Sequence, residues 1–179
     1  MEAEIIAVGT ELLSFARSET NSLYITRALF SLGIEIRRKI VVGDRPRDLH
    51  DSLLDAVRRS DVIVFSGGLG PTTDDITRES VASALNRPLR LDPRILEDLA
   101  ARYRKFGFKL TENNRRQAMV PEGAEIMANP FGTAPGIFLE EKGTLIFLLP
   151  GPPRELYPMV DNHLLRILNE RKGLSPIPS

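Results

Sequence analysis

The 179-residue chain contains no cysteine. This absence excludes disulfide bonds, thiol nucleophiles and zinc sites built on thiolates. A chain without cysteine also fits a reducing compartment. Any chemistry that the protein performs therefore depends on other side chains and on the backbone.

A net charge and a long apolar run are lacking as well. The 24 lysines and arginines equal the 24 aspartates and glutamates, whereas nucleic-acid-binding proteins usually carry a basic excess. No segment approaches the roughly 20 apolar residues of a membrane span. The N-terminus carries Glu2 and Glu4, where a signal peptide has positive charge. We therefore expect a cytoplasmic protein with no direct nucleic-acid partner and no membrane partner.

The pattern of apolar residues predicts one domain of alternating strands and helices. Strands are predicted at 5–8, 34–42, 62–65, 125–128, 137–140 and 145–149, with a hairpin at Lys142-Gly143 between the last two. Helices are predicted over 18–32 with Ser18 as N-cap, from Pro46, near Asp75, from Pro93 through Phe106, over 112–118, and from Pro152 or Pro153. This alternation indicates a three-layer α/β/α fold with a mostly parallel sheet. The domain is assigned to residues 1–172, and residues 173–179 to a tail or linker.

The loop at residues 67–75 (GGLGPTTDD) is the strongest candidate for a ligand site, because ligands of open α/β sheets bind beyond the carboxyl ends of the strands. Its glycines allow backbone N–H groups to approach a phosphate, and the following helix directs its positive end there. The loop supplies the candidate ligand-binding residues Gly67, Gly68, Leu69, Gly70, Thr72 and Thr73. Asp74 and Asp75 would repel a phosphate unless a hard cation such as Mg²⁺ lies between them. The alternative is that one of these aspartates only caps the helix.

Other strand ends supply further candidates. Glu11 and Asp44 follow the first two strands, and Asp44 has the alternative role of capping the helix at Pro46. Two turns and a polar cluster add Asn113, Arg116, Gln117, Gly132, Thr133, Ala134, Pro135, Gly151, Pro152 and Pro153. The polar cluster has the alternative of a solvated face, and the turns have that of strand punctuation. His50 and His163 are poor catalytic candidates, since the first is expected to be exposed and the second lies on an apolar helical stripe.

Six motifs follow one another in an order that resembles a known family. They are GTEL at 9–12, GD at 43–44, SGGLGPTTDDITRE at 66–79, NRRQAMVPEGA at 114–124, NPFGTAPGI at 129–137 and LPGPPREL at 149–156. Together they resemble the N-terminal domain of the competence/damage-inducible CinA proteins. That domain belongs to the molybdopterin-binding superfamily, with the adenylyltransferases MogA and MoaB and a domain of gephyrin. The resemblance implies the MogA/MoaB-like fold for nearly the whole chain.

For CinA-type domains the resemblance implies hydrolysis of ADP-ribose to AMP and ribose 5-phosphate, with a divalent metal such as Mg²⁺, Co²⁺ or Ni²⁺. On this hypothesis Asp44, Asp74 and Asp75 are catalytic, and Asp44, Asp75 and Glu11 bind the metal. One alternative is a molybdopterin adenylyltransferase, with molybdopterin as ligand. Another is a non-catalytic nucleotide- or pterin-binding module linked to competence.

Two residues favour the CinA type over the adenylyltransferases. The adenylyltransferases usually have threonine where Leu69 stands, and a basic or neutral residue where Asp74 stands. Full-length CinA proteins also carry a C-terminal amidase domain, so we expect no amidase activity from these 179 residues. Relatives in the superfamily form dimers or trimers, and the resemblance therefore implies a homo-oligomer.

Overall fold

A computed structural model describes residues 1–15, 18–105 and 107–172. The strands are β1 (Glu2–Val8), β2 (Glu35–Val42), β3 (Val62–Ser66), β4 (Leu89–Leu91), β5 (Met119–Pro121), β6 (Glu125–Met127), β7 (Gly136–Glu141) and β8 (Thr144–Leu149). The helices are α1 (Asn21–Ser31), α2 (Pro46–Val57), α3 (Thr77–Ala84), α4 (Pro93–Lys105), α5 (Glu112–Arg115), α6 (Pro153–Met159) and α7 (Leu165–Lys172). Short 3₁₀ turns lie at Thr10–Leu13 and Arg116–Ala118, and a π turn at Val160–Leu164 joins α6 to α7.

Six strands form one sheet in the order β2-β1-β3-β8-β7-β6, and β4 pairs with β5 in a separate ribbon. The pairs β1–β2, β1–β3 and β3–β8 are parallel, whereas β7 is antiparallel to both of its neighbours. The carboxyl ends of β1, β2, β3 and β8 therefore meet at one edge of the sheet. Because β7 runs the other way, the loop that leads into it lies at the same edge.

Two apolar clusters, one on each face of the sheet, make up the core. The first includes Ile5, Val64 and Phe147 and packs against α1 and the last helices. The second includes Ile6 and Phe65 and packs against α2, α3 and α4. Alternate residues of the same strands thus enter opposite clusters, as the period of a strand requires. The predicted three-layer α/β fold with a mostly parallel sheet is confirmed.

Several predicted boundaries shift by a few residues. Helix α1 begins at Asn21 and not at Ser18, because the Glu19 carboxylate accepts the Ser22 N–H at 2.9 Å and the helix forms only beyond it. Helix α3 begins at Thr77 and not at Asp75, because residues 72–75 form a turn of their own. The predicted hairpin is confirmed, with Lys142 and Gly143 both at positive φ.

Phe106 and the tail 173–179 lie outside the described residues. Within the described part of the chain, no helix is long and apolar enough to cross a membrane.

A buried ion pair joins β1 to the turn before β3. The Glu4 side chain is 1% exposed and accepts hydrogen bonds from Arg59 at 2.5 and 3.0 Å and from the Ser60 hydroxyl at 2.9 Å. Burial by itself raises the pKa of Glu4, but the hydrogen bonds from Arg59 and Ser60 and the charge of Arg59 outweigh it and hold the pKa below its usual value. The pair therefore stabilises the folded chain wherever Glu4 is ionised.

We expect Arg59→Met to lower the free energy of unfolding at pH 7 by about 3 kcal/mol, because it leaves the buried Glu4 carboxylate without its cation. The matched control is Arg58→Met, whose side chain is 77% exposed and reaches Asp55 only at 3.8 Å; a change below about 0.5 kcal/mol is expected there. Urea unfolding measures both values. Equal stabilities of the two variants would contradict the assignment.

The ion pair between Glu4 and Arg59 should also make the stability of the protein depend on pH. The folded-state pKa of Glu4 lies below its ordinary value of 4.5, so the contribution of Glu4 to stability is complete above that value and is lost as the pH falls through the folded pKa. The stability difference between the wild type and Arg59→Met should therefore shrink below about pH 4.5. Urea unfolding curves between pH 7 and pH 3 measure it, and a difference that stays constant over this range would exclude the linkage.

Candidate functional site

A cavity of about 570 Å³ lies at the edge of the sheet where the parallel strands end. It is bordered by the loops after β1, β3 and β8, by the segment before α1, and by part of the loop before β7. From the predicted set, its lining includes Glu11, Gly67, Gly68, Leu69, Gly70, Asp75, Gln117, Thr133, Ala134, Gly151, Pro152 and Pro153. The structure therefore brings most of the predicted site residues to one place.

The floor of the cavity is the turn after β3, which is held from two sides. The Gly67 N–H donates to the Leu149 carbonyl at 2.9 Å. From the start of α3, the Thr77 hydroxyl donates to the Gly67 carbonyl at 2.8 Å, and the Thr77 N–H donates to the Gly68 carbonyl at 3.0 Å. Thr77 is fully buried. The sequence pattern did not point to Thr77, since a threonine at the start of a helix is common and only the fold shows what it contacts.

Side chains are excluded from this turn. Gly67 and Gly68 have φ of 105° and 71°, values that L residues rarely adopt. A Cβ on Gly67 would lie 2.4 Å from the Val8 carbonyl oxygen, and one on Gly68 would lie 2.1 Å from the Thr77 hydroxyl. Backbone and not side-chain atoms therefore face a ligand here.

Asp75 ends the turn and faces the cavity. Its Oδ2 accepts the backbone N–H and the hydroxyl of Thr72 at 2.9 and 2.6 Å. A Cβ on Gly70 would lie 2.5 Å from the same oxygen. Helix α3 has no side-chain hydrogen bond at its N-cap, Ile76, so the alternative that an aspartate caps this helix is not what the structure shows. Thr72, Thr73 and Asp74 are exposed and do not line the cavity.

Glu11 lines the cavity and Asp44 does not, although both residues follow strands. The Thr10 N–H donates to Asp44 Oδ2 at 2.8 Å, and the Asp44 N–H donates to the Thr10 hydroxyl at 3.0 Å. Asp44 thus holds the turn Thr10–Leu13, which carries Glu11 into the cavity wall. The alternative that Asp44 caps α2 is not seen. The N-cap residue of α2 is Arg45, and no side-chain hydrogen bond caps the helix there.

Asn21 is a cavity residue that the sequence did not single out. Its Nδ2 donates to the Ser66 hydroxyl at 2.9 Å and to the Gly151 carbonyl at 2.8 Å. It thus ties the start of α1 to the ends of β3 and β8. Across the sheet edge, the Gln117 amide donates to the Thr133 hydroxyl at 3.1 Å. Both amides are at least nine-tenths buried and join segments that are far apart in the chain.

Besides Asp44, Thr72, Thr73 and Asp74, four further predicted residues lie outside the cavity. Asn113 is exposed, and Arg116 donates to Glu79 at 3.1 Å; neither lines the cavity. Gly132 and Pro135 border a neighbouring, larger cavity of about 1040 Å³ between α4, the β4–β5 ribbon and α6. Of the two histidines, His50 lies beside Asp51 on α2 and His163 borders the larger cavity. Burial is the main cause that lowers the pKa of His163.

The smaller cavity is acidic. Four carboxylates line it, from Glu11, Glu19, Asp75 and Glu155, and no lysine, arginine or histidine among the described residues does so. In the described ranges no three aspartate, glutamate or histidine side chains converge as a ready-made metal cluster. Magnesium in nucleotide sites is commonly held by one or two carboxylates together with the phosphates of the substrate. The donor set of the cavity is compatible with that arrangement.

Comparison with known proteins agrees with this fold. Residues 4–170 match the family model described as the probable molybdopterin binding domain. A CinA-like protein of Acidobacterium capsulatum is 48% identical over 172 residues, covering 94% of this chain and 42% of the relative. The chain thus spans about two fifths of the length of the curated relatives it matches.

Solved structures extend the comparison. The protein CinA of Thermoplasma acidophilum, described as of unknown function, is 32% identical with a TM-score of 0.85, covering 95% of this chain and 98% of that one. The molybdopterin biosynthesis enzyme MoaB of Thermus is 23% identical with a TM-score of 0.65, covering 98% of both chains, and it shows the fold alone. The predicted MogA/MoaB-like fold is confirmed. The chain belongs to the family of the probable molybdopterin binding domain, and within that family it is similar to the CinA-type proteins.

Proposed function

We propose that the protein is a metal-dependent pyrophosphatase that hydrolyses ADP-ribose to AMP and ribose 5-phosphate. The observation that carries the proposal is the acidic cavity at the strand ends, with a glycine turn for its floor and no basic side chain among its described lining residues. An anion bound there by backbone amides needs a cation beside it, because the surrounding carboxylates would otherwise repel it.

The glycine turn offers the anion-binding groups. The N–H groups of Gly68, Leu69 and Gly70 have no backbone acceptor among the described residues, whereas that of Gly67 is used by Leu149. These three amides provide the donors for one phosphate of the substrate. Because Thr77 holds the turn in place, the amides are arranged before the ligand arrives.

Glu11 and Asp75 are the carboxylates proposed to hold the cation. Both line the cavity, and the two hydrogen bonds from Thr72 go to Oδ2 of Asp75. When bound, Mg²⁺, Co²⁺ or Ni²⁺ would neutralise charge on the pyrophosphate and lower the pKa of an attacking water. Asp44 acts indirectly, since its hydrogen bonds with Thr10 set the position of the turn that bears Glu11.

Hydrolysis is tested by incubating the protein with ADP-ribose and Mg²⁺, Co²⁺ or Ni²⁺ and measuring AMP. We expect Asp75→Asn to lower the rate by at least about 100-fold, as for the loss of a positioned catalytic group. The adjacent Asp74→Asn is the matched control and should keep most of the activity, since Asp74 is exposed outside the cavity. Failure of the wild type to release AMP with any of the three metals would overturn the proposal.

The glycine turn makes a second prediction. Gly68→Ala should abolish binding of AMP with Mg²⁺, measured by calorimetry, because its Cβ would displace Thr77 and with it the turn. The control is Gly143→Ala, which also has positive φ (85°) but meets no atom within 4 Å and lies in the hairpin turn. That variant carries the backbone strain of about 1 kcal/mol without a clash. Equal AMP affinities of the two variants would show that the turn does not bind the phosphate.

Molybdopterin binding is the second candidate, favoured by the family match over residues 4–170. The same turn and carboxylates would then bind a pterin phosphate, and an adenylyltransferase would form an adenylated product from ATP. Incubation with molybdopterin, ATP and Mg²⁺ separates the candidates, because only this one predicts adenylated molybdopterin. A binding module without catalysis predicts affinity for AMP or molybdopterin and neither product.

A further inference from the structure

The loop that leads into β7 forms one wall of the ligand cavity. Residues 129–135, called here the wall loop, lie between β6 and β7 at the edge where the parallel strands end. Thr133 borders both the smaller and the larger cavity, and Ala134 borders the smaller one. The conformation of this loop therefore sets the shape of the site on that side.

We propose that Glu155 and Arg102 are positioning residues that hold the wall loop in its ligand-binding conformation. Glu155 is one of the four carboxylates of the smaller cavity, but the cation of the reaction proposed above is assigned to Glu11 and Asp75, and Arg102 does not line that cavity. The effect on a ligand passes through the wall loop to Thr133 and Ala134, and this part of the inference depends on the proposed nucleotide site.

Glu155 is a buried carboxylate at the start of α6, with 8% of its surface exposed. Its Oε2 accepts the Asn129 Nδ2 at 2.8 Å, and the same Nδ2 donates to the Ala134 carbonyl at 2.8 Å. The Asn129 Oδ1 in turn accepts the Phe131 N–H at 3.1 Å. Because a carboxylate and a carbonyl only accept hydrogen bonds, they fix which side of the Asn129 amide faces inward. Glu155 thus orients the residue that closes the loop on itself.

Arg102 holds the opposite side of the wall loop from α4. Its Nη1 donates to the Gly132 carbonyl at 2.7 Å, and its Nη2 donates to the Asn129 carbonyl at 3.0 Å. Both acceptors are neutral backbone groups, so this arginine serves the shape of the loop and not an ion pair. Two helices therefore each contribute one charged side chain. Arg102 of α4 bonds to the backbone of the wall loop, and Glu155 of α6 bonds to the Asn129 side chain.

Gly132 shows how closely the loop fits against Glu155. A Cβ on Gly132 would lie 1.9 Å from Glu155 Oε2 and 2.8 Å from Asn129 Nδ2. No other residue type is compatible with this packing, although the backbone at Gly132 has no positive φ. The contact continues to the ligand side, because the neighbouring Thr133 accepts the Gln117 amide at the cavity.

Amide exchange of Phe131 tests the hold on the loop without any ligand. In Glu155→Ala we expect exchange at Phe131 to be about ten- to hundred-fold faster, as follows from losing a hydrogen bond to a charged group. Arg102→Ala should act in the same direction. The matched control is Arg104→Ala, an exposed residue of the same helix whose guanidinium donates to the Ala100 carbonyl one turn back and, among the described residues, to no atom of the wall loop. Exchange in Glu155→Ala equal to that in Arg104→Ala would overturn the proposal.

Glu155→Gln separates positioning from charge. The glutamine carbonyl still accepts from Asn129, so exchange at Phe131 and the affinity for AMP with Mg²⁺ should both stay within about three-fold of the wild type, while Glu155→Ala binds AMP about ten-fold more weakly. If Glu155→Gln lost affinity like Glu155→Ala while keeping slow exchange, Glu155 would act through its charge and the positioning role would be wrong. This variant also serves if Glu155→Ala does not fold.

Failure of the proposed function gives a different result. A wild type that binds no AMP would refute the nucleotide site, whereas the hold on the wall loop is judged by measurements made without ligand. The chain contains no tryptophan, so Phe131→Trp, at a side chain 56% exposed, gives a single fluorescent reporter on the loop. Acrylamide quenching of that tryptophan should increase when Glu155→Ala or Arg102→Ala is added, and not when Arg104→Ala is added.

Discussion

The site depends on the contact between Thr77 and the turn at Gly67 and Gly68. This contact joins the end of a central strand to the start of α3, and the Gly67 N–H joins it to β8. Both glycines have positive φ and leave no room for a Cβ. The residues that follow, Leu69 and Gly70, line the cavity, and the proposed binding of a phosphate by backbone amides depends on the position of this turn.

The charge of the cavity sets the second constraint. Four carboxylates line the cavity together with the glycine turn. Their mutual repulsion is offset by hydrogen bonds from neighbouring groups or by solvent. Glu19 accepts the Ser22 N–H at the start of α1, Asp75 holds Thr72, and Glu155 holds Asn129. An anionic ligand would therefore need a cation beside it, and this is the physical reason for proposing metal-dependent phosphate chemistry over binding of a free anion.

The wall loop borders both cavities. Its conformation depends on side chains that come from outside the loop. Glu155 and Arg102 come from helices that are distant in the chain, and each reaches the loop through a side chain that is otherwise costly to bury. Thr133 and Ala134 of this loop line the smaller cavity. The family match over residues 4–170 includes the wall loop, Glu155 and Arg102.

Much of the fold and part of the site follow from the sequence alone. The continuous apolar run of β3 predicts a strand buried on both faces, and the helical spacing of apolar residues in α2 predicts a helix buried on one face. The glycines and aspartates of residues 67–75 mark a ligand loop by their chemistry. The sequence could not decide which carboxylate faces the cavity: Asp75 does and its neighbour Asp74 does not. Nor could it show that Asn21, Thr77 and Glu155 belong to the site, or that Asn113 and Arg116 lie outside it. These outcomes depend on contacts between residues tens of positions apart, and only the packing of helices on both faces of the sheet brings such residues together.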